Sequence, residues 1–141
     1  MPQEVFRGRL IDHVQLVVRD LAASQKFYTA VLHVLDIPIG GIQSDFFWAD
    51  ELCVSTRESA AAKGELTGRN HIAFQAKSRS VVDAFYKVAL ANGGKDHGKP
   101  GERPYHPGYY AAFVLDPDGN NIEAVYHGEG KRSAPSVQIT F

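Results

Sequence analysis

The chain has 141 residues and a mass of 15.5 kDa, the size of one domain, and its 44% hydrophobic, 22% charged and 11% aromatic residues exclude a disordered chain or a fibre. The 15 Lys and Arg against 16 Asp and Glu leave a formal net charge of -1, too weak a field for nucleic acid or an anionic membrane surface to be an expected partner. A lone cysteine, Cys53, excludes an internal disulfide, no apolar run approaches the roughly 18 residues of a membrane-crossing helix, and Met1-Pro2-Gln3-Glu4 lacks the basic and apolar regions of a secretion signal, so the expected location is the cytoplasm.

An internal repeat organises the chain. Laid on Gly68–Leu90 at a constant offset, Leu10–Leu32 sets His13 on His71, Val14 on Ile72, Leu16 on Phe74, Phe27-Tyr28 on Phe85-Tyr86 and Leu32 on Leu90. Module one, about residues 8 to 58, opens with a period-two strand. Val14, Leu16 and Val18 share one face, and His13, Gln15 and Val17 share the other. Asp20 caps a helix from Leu21 to about Leu35, and extended runs follow at Ile37–Gln43, Phe46–Ala49 and Leu52–Thr56. A small polar stretch, Ser59 to Thr67, leads to module two, about residues 68 to 128. Its strand alternates Ile72, Phe74 and Ala76 against His71, Ala73 and Gln75. Ser78 or Ser80 caps a helix from Val81 to about Asn92, stopped by Gly93-Gly94. A long loop from Lys95 to Pro107 precedes strands Tyr109–Leu115 and Asn121–Tyr126, with a tight hairpin at Asp116-Pro117-Asp118-Gly119-Asn120. A polar tail ends the chain. The expected fold is α+β: two β-α-β-β-β modules forming a concave mixed β-sheet, with the helices on the outer face and the uncovered faces making a trough.

Ile11-Asp12-His13-Val14 with Phe27-Tyr28, Asn70-His71-Ile72-Ala73-Phe74, and the run from Tyr109 through Asp116-Pro117-Asp118-Gly119-Asn120 to Glu123 together resemble the vicinal oxygen chelate superfamily. This is the group of glyoxalase I, extradiol dioxygenases, fosfomycin-resistance enzymes and bleomycin-binding proteins. The resemblance covers nearly the whole chain, and the last run is its most specific part. It implies paired modules around a cup, a homodimer, and one divalent ion (Fe, Mn, Ni, Co or Zn) held by His13, His71 and Glu123.

The residues agree with that chemistry. Two imidazoles and a carboxylate leave open positions on an octahedral ion, where a substrate can chelate through adjacent oxygens. His13 and His71 lie on the trough face, Glu123 shares that face with Asn121 and Val125, and its apolar neighbours predict a buried charge that needs a partner. Two departures narrow the class. Glyoxalase I places a further carboxylate on the last strand of module one, where this chain has Cys53 or Ser55; Glu51 has the right parity but falls at a turn. Extradiol dioxygenases have a His and a Tyr before the Asp-Pro turn, and His106 and Phe113 fall there. His106 is thus the candidate acid–base group. Tyr109, Tyr110 and Trp48 are candidate substrate contacts, while His33, His97 and His127 receive no role. The expected function is a metal-dependent lyase, isomerase or ring-cleaving dioxygenase acting on a small molecule. The alternative is a non-enzymatic binding protein of the bleomycin-resistance type.

Overall fold

The structure is a computed structural model and describes residues 4–141; Met1, Pro2 and Gln3, which contribute to the reading of no secretion signal, lie outside the described residues. The elements are β1 (Glu4–Arg7), β2 (Val14–Val17), α1 (Leu21–Val34), β3 (Gly41–Ile42), β4 (Phe46–Ala49), β5 (Leu52–Ser55), β6 (His71–Gln75), α2 (Arg79–Ala91), β7 (Lys95–Glu102), β8 (Tyr110–Leu115), β9 (Asn121–Tyr126) and β10 (Val137–Thr140). Two four-stranded sheets carry the repeat, ordered β2-β5-β4-β3 and β6-β9-β8-β7. In both, the first strand pairs in parallel with the last and the rest is antiparallel. The fold is α+β, in keeping with two β-α-β-β-β modules.

Local signals place the helices. Asp20 accepts from the Ala23 N–H at 3.1 Å to start α1, and Ser78, rather than Ser80, accepts from the Val81 N–H at 3.2 Å to start α2. Phe27, Tyr28, Val31 and Leu32 on α1, and Val82, Phe85 and Ala89 on α2, are buried. They meet Leu16, Val18, Phe47 and Val54 from one sheet and Ala112, Val114, Ile122 and Ala124 from the other in one continuous core. Burial of this apolar area at about 25 cal/mol per Å² is what holds the two modules together.

The Asp116–Asn120 hairpin forms the joint between modules. Asp116 accepts from the backbone N–H of Asp118 and Asn120 at 2.9 and 2.8 Å, from Asn120 Nδ2 at 2.9 Å, and from the Tyr28 hydroxyl of α1 at 2.5 Å. Asp118 in turn accepts from the Arg19 N–H at 3.0 Å. The turn of module two is therefore tied to the helix and strand end of module one.

Several segments depart from the sequence reading: the run Ile37–Gln43 is a strand only at Gly41–Ile42, and β1 is a strand that reading did not contain. Most of the predicted loop from Lys95 to Pro107 is an edge strand, β7, paired with β8 through a register broken on both sides of Gly98. Gly, Pro and charged residues there hide it from a period-two search. The polar tail holds β10, which pairs antiparallel with β1.

Candidate functional site

Register across the second sheet sets Ala73, Glu123, Phe113 and Gly98 in one row on the trough face. Glu123 is only 2% exposed, as its apolar neighbours implied. One oxygen, Oε1, lies 3.1 Å from His71 Nε2, and the other accepts from the Tyr109 hydroxyl. Burial, followed by the hydrogen bond and charge of Glu123, pushes the Tyr109 phenol up to about 12.

His71 is oriented from behind. Its Nδ1 lies 3.0 Å from the Asn121 carbonyl oxygen, which can only accept, so Nδ1 carries the proton. In the neutral ring the Nε2 lone pair then faces a buried carboxylate, an arrangement that either a proton on Nε2 or a bound cation satisfies. A divalent ion fits, because a backbone carbonyl holding the far nitrogen is how metal-bound imidazoles are commonly oriented.

His13 sits in a different place. It precedes β2, its side chain is 62% exposed, and its Nδ1 lies 2.7 Å from Asp12 Oδ1. With Val5, Arg7, Phe46, Trp48 and Cys53 it lines a cavity of about 300 Å³ that module two does not enter. Alternation along β4 buries Phe47 and turns Phe46 and Trp48 to this cavity. Burial raises the Cys53 thiol above its ordinary value. Glu51 lies near Gly8, with its carboxyl raised by burial and then by neighbouring Asp50. Among the described residues of one chain, no three His, Cys, Asp or Glu side chains converge as a metal site.

Around module two, His106 Nε2 lies 2.9 Å from His127 Nδ1 with the rings stacked, and the Tyr109 ring packs edge-on against both at 5.3 Å. His127 carries no local sequence signal; only the fold brings it to His106. Arg103 was also missed. Its guanidinium lies 5.3 Å from the centre of the Phe113 ring, and it donates to the Lys99 carbonyl at 2.7 Å. Tyr110 points away from the trough: its hydroxyl donates to Asp83 of α2 at 2.6 Å, and Arg79 covers its ring. Its expected place among the substrate contacts is corrected by strand parity, since Ala112 and Val114 share its face and lie in the core.

The family model described as the glyoxalase/bleomycin resistance protein/dioxygenase superfamily matches residues 10–124. No curated protein matches the chain. Among solved structures, a glyoxalase/bleomycin resistance protein from Albidiferax ferrireducens T118 is 31% identical. The match covers 82% of this chain and 97% of that one, with a TM-score of 0.66. An enzyme of the glyoxalase/bleomycin resistance protein/dioxygenase family from Burkholderia phytofirmans PsJN is 24% identical, with coverage of 82% and 97% and a TM-score of 0.64. A lactoylglutathione lyase from Agrobacterium tumefaciens is 20% identical, with coverage of 83% and 92% and a TM-score of 0.63. The last two likenesses speak to fold alone.

Proposed function

The chain belongs to the glyoxalase/bleomycin resistance protein/dioxygenase superfamily, and on that premise we propose that it is a divalent-metal-dependent enzyme acting on a small molecule through two adjacent oxygens. Lyase, isomerase and extradiol-type dioxygenase chemistry all fall within this reading. The observation that carries it is the carbonyl-oriented His71, whose Nε2 lies 3.1 Å from a carboxylate buried to 2% exposure. His71 and Glu123 would hold the ion from one chain and His13 from a second copy. Bound there, a divalent ion supplies Lewis acidity toward a chelating oxygen pair.

The homodimer rests on the sheets. β2 and β6 are the terminal strands of their sheets, and strand edges of this kind invite pairing with another chain. A two-fold dimer would unite the first module of each copy with the second module of the other. The chain's own groups then divide the work. Tyr109 holds Glu123, Phe113 and Trp48 furnish apolar wall, and His106 with its partner His127 supplies acid–base chemistry at the rim. No described helix is long and apolar enough to cross a membrane, and the lone thiol supports a cytoplasmic location.

Purified protein is expected to carry about one metal ion per active site, with His71→Ala or Glu123→Gln removing it; metal content unchanged in His71→Ala contradicts the reading. One observation favours a second reading: the cavity of about 300 Å³ walled by Trp48 and Phe46 suits an aromatic ligand without metal. A chelator separates the two. It lowers Tm if the native state holds an ion, by the equivalent of about 2.7 kcal/mol at one hundred times Kd, and leaves Tm unchanged for a metal-free binding protein.

A further inference from the structure

Resting on the reading of the module-two trough as the substrate site, we propose that its proton-exchanging nitrogen is Nε2 of His127, with His106 as the residue that positions it. The hydrogen bonds fix the assignment. His106 Nδ1 lies 2.9 Å from the Pro107 carbonyl oxygen, an acceptor only, so Nδ1 carries the proton. In the neutral ring, His106 Nε2 is then bare, and it accepts from His127 Nδ1–H at 2.9 Å. Both nitrogens of His106 are engaged, and His127 Nε2 is the bare one without a hydrogen-bond partner among the described residues. A proton entering the neutral pair lands there. If a substrate C–H or O–H gives up its proton, the bonding electron pair stays on the substrate and the imidazolium still donates through Nδ1 to His106.

The backbone is built for this pairing. Gly108 and Gly128 have φ of 85° and 70°, in the region that favours glycine, and they touch back to back. A Cβ on Gly128 would stand 3.1 Å from Gly108 Cα. This close approach sets the loop bearing His106 against the strand end bearing His127. The two rings lie 5.1 Å apart and 23° from parallel, both against Tyr109, the residue that holds Glu123. The pair is thus one aromatic ring away from the candidate metal donors.

Diethyl pyrocarbonate acylates bare imidazole nitrogens, so timed labelling with peptide mapping reads the assignment without a substrate. His127 is expected to react about ten-fold faster than His106, at the pace of exposed His33 and His97. In His127→Phe, His106 Nε2 is freed and its labelling rises by about the same factor, whereas in His127→Gln the side-chain amide still donates and His106 stays slow. His106 reacting as fast as His127 in the unmodified protein overturns the proposal, a comparison that needs no variant to fold. So does an Nε2–H tautomer of His127 in imidazole NMR spectra at a pH where the pair is neutral. A chelator present throughout keeps the labelling test separate from the metal reading, whose failure appears in metal content.

Discussion

The two modules share a strand order but have different equipment. In module two, Glu123 is buried under Tyr109 and faces His71. In module one, the repeat-equivalent His13 faces exposed Asp12 at the edge of an open, largely apolar cavity, and its last strand offers Cys53 where a carboxylate would be useful. A repeat therefore conserves scaffold more faithfully than chemistry. What one half lacks the other offers, and on that contrast rests the proposed site shared between two copies of the chain.

The comparison breaks most readily at the shared core. Phe27 of module one is fully buried and its ring lies 2.8 Å from where a Cβ on Gly94 of module two would stand. Phe27→Ala is expected to cost about 3–5 kcal/mol, read as a lower urea midpoint with one transition retained; two separate transitions contradict a common core. A smaller effect follows at the joint. Burial and Asp116 hold the Tyr28 phenol well above its usual value. Tyr28→Phe leaves Asp116 its three N–H donors, and the loss is about 1–2 kcal/mol. Because the folded value is raised, Tyr28 stabilises fully below the unfolded phenol range near pH 10, and its contribution fades as pH rises beyond that. An unchanged alkaline stability profile in Tyr28→Phe contradicts this.

Smallest is Tyr109→Phe, which removes one donor from Glu123 at a partly solvated site and costs about 1 kcal/mol. Absorbance titration should show a phenol ionising near 12 that this substitution deletes. Its contribution is likewise complete below about pH 10 and lost as pH rises through 12. A phenol deleted by the substitution but titrating near 10 removes the bond to Glu123 from the description of module two.

Much of this was legible from residues. The offset repeat gave the common β-α-β-β-β succession, Asp20 and the alternatives Ser78 or Ser80 gave the helix caps, and the apolar neighbours of Glu123 gave its burial. Tyr110 was misplaced although parity with Ala112 and Val114 already assigned it to the helix side. Other features are not local. β7 is an edge strand broken at Gly98, with charges and glycines where alternation would reveal a strand, and β1 meets β10 from the far end of the chain. His127 looked like a strand-end residue because the glycine contact that sets it on His106 joins two distant backbone segments. That His13 and His71 stand apart within one chain was also beyond the sequence, since it depends on how two similar sheets are disposed around shared helices.

Complementation tests the shared site most directly. Chains bearing His13→Ala and chains bearing His71→Ala are each expected to hold no metal. Unfolded together in equal amounts and refolded, they form mixed dimers in which one of the two sites has both wild-type halves. Random assortment should then restore about one ion per four chains. Metal content that stays at zero in the refolded mixture, while wild-type protein treated identically regains its ions, contradicts a site built from two copies.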